Sequence, residues 1–188
     1  ILNFKDIPTS LEIADGTVIR EYVTIHRSGF ENGVTKVGKS CLLMAYSHVG
    51  HDCEIGNEVV VVNSTALSGH VIVEDKAFIS GLVGVHQFVR IGRNAMVGGM
   101  ARVNQDILPF STVEGNPARL YSANTVGLKR ANFKPDVRVA IKKALNVIAQ
   151  PELNTKQAVE KITVEIEMFD EIKYLIDFIE NSSRGVTK

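Results

Sequence analysis

The sequence predicts a parallel β-helix of six-residue repeats, followed by a small helical domain. The first observation is a period: every sixth residue from Ile1 to Val103 is Ile, Val or Leu, with one exception in eighteen positions. A period of six is neither the helical period of 3.6 nor the alternation of a strand, so it indicates a repeated unit. The second observation is that the period ends at Val103, and helical periodicity follows after segments rich in Pro and Gly.

Three hexads predict one triangular coil, in which residue n lies below residue n+18 at the strand spacing of about 4.8 Å. Three inward stacks of apolar anchors result. They hold residues 37, 55, 73 and 91, residues 43, 61, 79 and 97, and residues 49, 67, 85 and 103. Parallel coils pair their backbone groups with their neighbours, so an open ladder is expected only at the two ends.

The exception to the period, Glu31, lies in a segment rich in turn formers, among them Gly29, Asn32 and Gly33. We therefore expect a loop at about residues 27–36 that leaves the wall of the coil. Long loops in otherwise minimal repeats are often functional, and a decorative insertion is the alternative. Because the repeat is already in register at Ile1, we also expect that earlier coils are missing.

Helices are predicted beyond the coil. We expect a short one near 122–131, a second at about 135–149 with Pro135 at its start, and a third from a cap at Asn154 to about 168. A fourth is expected at 170–181, and residues 182–188 read as a solvated tail. We therefore assign residues 1–112 to the β-helix and residues 113–188 to a C-terminal helical domain that can cap its open end.

Composition excludes several classes of protein. The chain has 21 basic and 21 acidic residues, which argues against a general binder of nucleic acid or of a membrane surface. No apolar run approaches the roughly 18–20 residues that span a bilayer. Cys41 and Cys53 occupy the same place in their hexads, so we expect small buried thiols rather than a disulfide or a metal pair, in a reducing cytosol.

Histidines are the first candidates for chemistry. His51, His70 and His86 fall on successive coils of one face, and His48 sits at the corner that enters this face. The plain alternative is that they are ordinary surface residues. Histidine is a common zinc ligand, but gaps of 3, 19 and 16 residues lack the paired His-x-x-x-x-His spacing of the hexapeptide carbonic anhydrases. We expect no metal.

A general base is the better interpretation of His51. A neutral imidazole near pH 7 suits the removal of a hydroxyl proton, and the adjacent Asp52 could fix its tautomer. Neighbouring residues on a strand point to opposite sides, so this contact requires a corner or an indirect route. Gly69 lies directly above His51, and its backbone N–H could receive an oxyanion. The sequence has no nucleotide fingerprint such as Gly-x-Gly-x-x-Gly.

Six motifs occur in one order and together resemble a known family. They are Val23–Arg27, His48–Cys53, Leu67–Val71, Val85–Phe88, Gly115–Ala118 and Gly127–Arg130. As a set they are similar to the acyl-carrier-protein-dependent UDP-N-acetylglucosamine O-acyltransferases, which catalyse the first step of lipid A (lipopolysaccharide) biosynthesis. The resemblance implies a left-handed parallel β-helix in a cytoplasmic homotrimer, with active sites in clefts between subunits.

The resemblance also implies a role for each matching residue. His51 would deprotonate the sugar 3-hydroxyl, which attacks the thioester of a 3-hydroxyacyl chain, with Asp52 supporting His51 and the Gly69 amide stabilising the oxyanion. The positions that match substrate contacts are His48, His70, His86 and Gln87 in the cleft, Asn124 and Arg130 near the nucleotide and phosphopantetheine arm, and Gly99 as a limit on acyl length. No metal or bound cofactor is implied, because acyl carrier protein brings the acyl group on its own phosphopantetheine.

Two departures from the family pattern concern acceptor and donor recognition. Ala131 stands where members often have a second Arg, and residues 1–6 lack the usual sugar contacts, for which Lys5 or Asp6 could substitute. Acyl carrier protein is acidic, so a basic docking patch is expected. Candidates for it are Arg90, Arg93, Lys129, Arg130, Arg138, Lys142 and Lys143, although the last three could be ordinary solvated charges.

Four alternatives stay open. The acceptor could be the 3-amino analogue of the sugar, or the chain could be the downstream N-acyltransferase of the same pathway, which lacks a tail with the Gly127–Arg130 motif. A coenzyme A-dependent acetyltransferase is a third reading, and a non-enzymatic solenoid such as a scaffold or ice-binding protein is the fourth. The faces of such non-enzymatic solenoids tend to repeat the same residues and do not carry clusters of histidines.

Overall fold

The structure, a computed structural model, describes residues 6–188. Three parallel sheets form the sides of a β-helix. Face A contains β1 (Ser10–Ile13), β4 (Val34–Val37), β7 (Glu54–Ile55), β10 (Ile72–Val73) and β13 (Arg90–Ile91). Face B contains β2 (Val18–Ile19), β5 (Leu42–Leu43), β8 (Val60–Val61), β11 (Phe78–Ile79), β14 (Met96–Val97), β16 (Ser111–Glu114) and β17 (Arg119–Ala123). Face C contains β3 (Thr24–Ile25), β6 (His48–Val49), β9 (Ala66–Leu67), β12 (Gly84–Val85) and β15 (Arg102–Val103).

The anchors stack as the period predicts. Val61 is typical, because it lies directly between Leu43 of the preceding coil and Ile79 of the following coil. All twelve anchors from Val37 to Val103 are at most 3% exposed. The fold class expected from the sequence, a hexapeptide β-helix followed by helices, is confirmed. Ile13 and Ile19 are an exception, at 43% and 42% exposure, because among the described residues their coil has a neighbour on one side only.

Each corner of the coil has a left-handed backbone three residues after an anchor. At every sixth position from Ser40 to Met100 the φ angle lies between +54° and +64°, and none of these residues is glycine. This conformation is sparsely populated by side chains other than Gly and Asn. The consequence for function is local: Asp52 and His70 both occupy such corners, with φ of +61°.

The expected loop is present. Ser10 pairs with Val34 and Thr24 with His48, a separation of 24 residues. The coils above it are separated by 18, as between Glu54 and Ile72. The coil between β3 and β4 therefore carries six additional residues, which form the extruded loop.

The four predicted helices are confirmed. They are α1 (Thr125–Arg130), α2 (Pro135–Ile148), α3 (Thr155–Glu165) and α4 (Asp170–Glu180). Pro135 opens α2, and a reciprocal pair of hydrogen bonds between Asn154 and Gln157 caps α3. α3 ends three residues before the predicted point because Ile166 has an extended backbone, with φ −120° and ψ 138°.

Between coil and helices lies a hairpin that the sequence did not indicate. β16 pairs with β14 of the coil on one side and, in antiparallel orientation, with β17 on the other. The motif Gly115–Ala118 forms the turn of this hairpin. The predicted domain boundary after residue 112 stays a prediction; it falls within β16.

The expectation of a solvated tail is wrong. Val186 and Thr187 are 7% and 2% exposed. The buried Asp106 holds this segment, because its backbone N–H donates to Gly185 O and its backbone oxygen accepts from Thr187 N–H, at 3.0 and 2.8 Å. Ser182 Oγ also donates to its carboxylate at 2.7 Å. The end of the tail is thus buried by backbone pairing with Asp106, while Ser183 and Gly185 stay exposed.

Two further features complete the fold. Cys41 and Cys53 are free and buried, as expected, and burial raises the pKa of the Cys53 thiol to about 11. Across the part of the chain that the structure describes, none of the helices has the length and apolar character to cross a membrane.

Candidate active site

The centre of the site is the corner between faces C and A, directly after β6. His51 Nδ1 lies 2.6 Å from Asp52 Oδ2, so two neighbours in sequence meet because the corner turns the chain between them. A carboxylate can only accept here, so Nδ1 carries the proton and Nε2 is left as the basic nitrogen. The arrangement is that of a general base oriented by an acid.

Gly69 lies against this basic nitrogen. A Cβ at this position would stand 2.7 Å from His51 Nε2, which leaves no space for any side chain. The Gly69 N–H donates to no acceptor among residues 6–188. A carbonyl group brought to His51 would therefore find beside it a backbone N–H that has no acceptor among the described residues.

Asp52 is held by residues of the extruded loop. Ser28 Oγ donates to Asp52 Oδ1, and the Gly29 N–H lies 3.2 Å from each carboxylate oxygen. Burial raises the pKa of Asp52, but the hydrogen bonds from Ser28, His51 and Gly29, together with the nearby His70, outweigh it and hold this pKa below its usual range. Sequence reasoning missed Ser28; its position in a loop that interrupts the repeat was the available signal.

His70 completes this corner. Its ring meets the His51 ring edge to face, with 5.1 Å between the ring centroids, and stacks on the Phe88 ring, with 4.5 Å between the centroids. Its Nε2 lies 3.8 Å from Asp52 Oδ2. Phe30 of the loop approaches the same ring at 5.7 Å. The two phenylalanines, both at least half exposed, were not predicted as parts of the site.

His48 and His86 extend the site along face C. His48 Nδ1 is 2.8 Å from Thr24 Oγ1, and burial, then the charge of His26, lower the pKa of His48. His86 Nδ1 lies 3.4 Å from Arg184 of the packed tail. Gln87, which follows His86 and is exposed, lies at the same corner.

Asn124 and Arg130 are not brought to the histidines within one chain. They line a cavity of about 710 Å³ against face B, beside Phe78 and Met96. Asn124 caps α1 by accepting from Gly127 N–H at 3.0 Å. Gly99 lies at the corner after β14, where a Cβ would meet Gly81 O at an ordinary 3.5 Å. The roles implied for these three residues stay predictions.

The expected basic patch is smaller than predicted. The guanidinium of Arg90 lies over Phe178 and 3.6 Å from Glu74, and that of Arg93 lies over Tyr174. These two groups hold α4 against face A. The exposed members of the set are Lys129, Arg130, Lys142 and Lys143, whereas Arg138 is half-buried. Lys5, a candidate sugar contact, lies outside the described residues, and Asp6 is exposed.

One group of residues has donor atoms close enough for a metal ion. Among residues 6–188 it consists of His51, Asp52 and His70, whose ligand atoms lie within 4.8 Å of one another. The carboxylate oxygens already accept hydrogen bonds from Ser28, Gly29 and His51. His51 Nδ1 is also occupied, because it makes the hydrogen bond to Asp52 Oδ2.

Chelation should therefore leave turnover unchanged. We expect that incubation with EDTA followed by desalting leaves the catalytic rate at this corner unchanged, because a histidine base oriented by a carboxylate needs no metal. The measurement is the initial rate before and after treatment, with metal content determined in parallel. A large loss of rate that added Zn²⁺ restores would contradict the assignment and favour a metal site at this corner.

Comparison with known proteins agrees with the geometry. The model for bacterial transferase hexapeptide repeats matches residues 35–69, and the model described as UDP N-acetylglucosamine O-acyltransferase, domain 2, matches residues 106–187. Coil and matches together define a hexapeptide-repeat transferase.

Similar proteins show which family of hexapeptide-repeat transferases the chain matches. The acyl-[acyl-carrier-protein]–UDP-N-acetylglucosamine O-acyltransferases of Gloeothece citriformis and Burkholderia mallei are 47% and 38% identical, over 97% and 100% of this chain. The crystal structure of a UDP-N-acetylglucosamine acyltransferase from Bacteroides fragilis, 40% identical, superposes with a TM-score of 0.95 over 98% of this chain and 72% of that one. The chain belongs to the acyl-[acyl-carrier-protein]–UDP-N-acetylglucosamine O-acyltransferase family, as its motifs indicated.

The matches differ in how much of each relative they cover. The chain spans 66% of the Gloeothece relative and 73% of the Burkholderia relative. It spans 58% of a further enzyme of the same name, from Synechocystis, to which it is 47% identical.

Proposed function

We propose that the protein transfers a 3-hydroxyacyl chain from acyl carrier protein to the 3-hydroxyl of UDP-N-acetylglucosamine, the first step of lipid A biosynthesis. The observation that carries the proposal is the His51–Asp52 pair, joined at 2.6 Å beside Gly69, in a chain of this family. The names of the relatives supply the donor and the acceptor, and the geometry supplies the chemistry.

In the proposed mechanism, His51 Nε2 removes the proton of the sugar 3-hydroxyl. The oxygen attacks the thioester carbonyl, and the Gly69 N–H stabilises the negative charge of the tetrahedral intermediate. Asp52 stabilises the imidazolium that forms. The intermediate collapses to the ester, and the imidazolium returns its proton to the departing thiolate of phosphopantetheine. No metal or bound cofactor takes part.

The remaining site residues bind substrate in this proposal. His48, His70, His86 and Gln87 line the cleft, and Asn124, Arg130 and Gly99 contact the donor arm, the nucleotide and the acyl chain. The last three lie away from His51 within one chain, which supports a homotrimer in which a neighbouring subunit brings them to the cleft.

Two surfaces support these partners. Four residues that are between 61% and 73% exposed, Tyr22, Tyr46, Leu82 and Met100, lie with the exposed Ser64 along the edge between faces B and C. This mainly apolar edge suits contact with another subunit. The exposed lysines of α1 and α2 offer positive charge to the acidic acyl carrier protein. The buried, unpaired thiols agree with the reducing cytosol that we propose as the compartment.

The decisive experiment offers the purified full-length enzyme a mixture of donors and acceptors. The donors are 3-hydroxyacyl carrier proteins of several chain lengths and acetyl-CoA, and the acceptors are UDP-N-acetylglucosamine and its 3-amino analogue. We expect mass spectrometry to find an ester, cleaved by hydroxylamine, on UDP-N-acetylglucosamine and no acetylated product. An exclusive amide product would favour the amino sugar, and acetyl transfer alone would favour a coenzyme A-dependent enzyme.

A further inference from the structure

The extruded loop folds back onto the acid of the catalytic pair. Ser28 is fully buried, and its hydroxyl proton is donated to Asp52 Oδ1. Ser28 Oγ in turn accepts from the Phe30 N–H at 3.1 Å, so the orientation of the hydroxyl is set from both sides. Gly33 closes the loop against Ser28, since a Cβ on Gly33 would overlap the Ser28 hydroxyl.

The loop and the strand β4 that follows it fix Asp52 at three points. Ser28 and the Gly29 N–H hold the carboxylate, and Thr35 Oγ1 accepts from the Asp52 backbone N–H at 2.8 Å. Oδ1 is thus held by the loop while Oδ2 receives His51 Nδ1–H. Rotation of the carboxylate away from His51 would break the bond to Ser28 as well, so the loop fixes the plane of the carboxylate and, through it, the ring.

The extruded loop is inserted next to the His51–Asp52 pair. The separation between stacked residues is 18 in the coils from β4 to β15 and 24 only across this loop. At a corner without such a loop, the exposed carboxylate of Glu58 has, among residues 6–188, one ion-pair partner, Lys76, at 3.5 Å. The additional residues therefore hold one particular carboxylate.

We propose that Ser28 is a positioning residue for the acyl transfer: with the Gly29 N–H it holds Asp52 in the orientation that keeps the proton of His51 on Nδ1. The six-residue insertion is then part of the catalytic apparatus. This inference rests on the proposed role of His51 as the base.

Ser28→Ala tests it. We expect kcat to fall about 10- to 100-fold, the loss seen when the partner that orients a metal-bound histidine is removed. KM should change less than about twofold, because Ser28 does not touch the substrate. Ser28→Thr keeps the hydroxyl and should recover most of the rate. Ser47→Ala is the matched control, since Ser47 is equally buried and its Oγ has no partner among the described residues; its kcat should be unchanged.

A pH profile separates positioning from mere stabilisation. Ser28 is one of the groups that lower the pKa of Asp52, and the titratable groups that face this carboxylate are His51 on its own coil and His70 on the next. Loss of Ser28 should raise this pKa, so that Asp52 protonates at higher pH. At the acidic end of the kcat profile, the additional loss of rate that accompanies protonation of Asp52 should begin at higher pH in Ser28→Ala and stay in place in Ser47→Ala.

A double-mutant cycle distinguishes the possible failures. If Ser28 acts through Asp52, Ser28→Ala should have no further effect on kcat in an Asp52→Ala background. Equal losses in both backgrounds, or a normal kcat with only a lower Tm, would overturn the inference. Normal turnover by His51→Ala would instead overturn the proposed function, so the two outcomes are distinct.

Discussion

Replacing His51 by Ala should lower the rate of acyl transfer by about 10²- to 10⁴-fold, the usual contribution of a general base. His51 lies at an exposed corner, with 28% of its side chain accessible, and its ring holds no apolar anchor in place. The coil should therefore be unaffected, and the loss should appear in kcat under saturating acyl donor. Single-turnover rates with a labelled acyl carrier protein would measure the chemical step directly.

Lys39→Ala is the matched control for this variant. Lys39 stands at the same place of its hexad as His51, but on face A, where it is exposed. Its turnover should equal that of the unaltered enzyme, and both variants should keep the oligomeric mass and circular dichroism spectrum. Near-normal turnover by His51→Ala would reject its role as the base.

Replacing the anchor Val61 by Asp should destabilise the coil by about 4 kcal/mol or more, because it buries a charge without a partner. Val61 is fully buried and packs between Leu43 and Ile79 in the stack of face B. For a chain of this length such a loss corresponds to a fall in Tm of about 10 °C. Thermal unfolding followed by circular dichroism is the measurement.

Val164→Asp provides the comparison. The chemical change is the same, but Val164 on α3 is 85% exposed, and Val and Asp have similar helix propensities. Its Tm should stay within about 2 °C of the unaltered protein, since surface substitutions change stability by roughly 0.5 kcal/mol. Equal melting curves for both variants would contradict the inward orientation of the anchors.

The coil could be predicted because one spacing sets both its register and its interior. Every anchor from Val37 onward is buried where the period placed it, since a shift by one residue would expose the whole set. The packed tail could not be predicted. Its polar sequence lacks periodicity, and its burial depends on hydrogen bonds to Asp106, about 80 residues away in sequence.

The same distinction holds for the site. His51 and Gly69 could be placed side by side because stacking is part of the repeat, and the corner that joins His51 to Asp52 was one of the routes considered. Ser28 and Phe30 belong to a loop outside the period, and Arg184 arrives with the tail. Positions outside the repeat carry no register, so their contacts follow only from the folded chain.

The left-handed corners have a consequence for how such an enzyme can change. Each costs about 1 kcal/mol in a residue other than glycine, a cost that the surrounding stack offsets regardless of which side chain stands there. Asp52, His70 and Phe88 thus occupy successive corners along one edge of the three-sided coil, and the packing of its interior does not depend on which side chains stand there. Evolution can therefore substitute the side chains along this edge one at a time, while the buried residues that stabilise the coil stay unchanged.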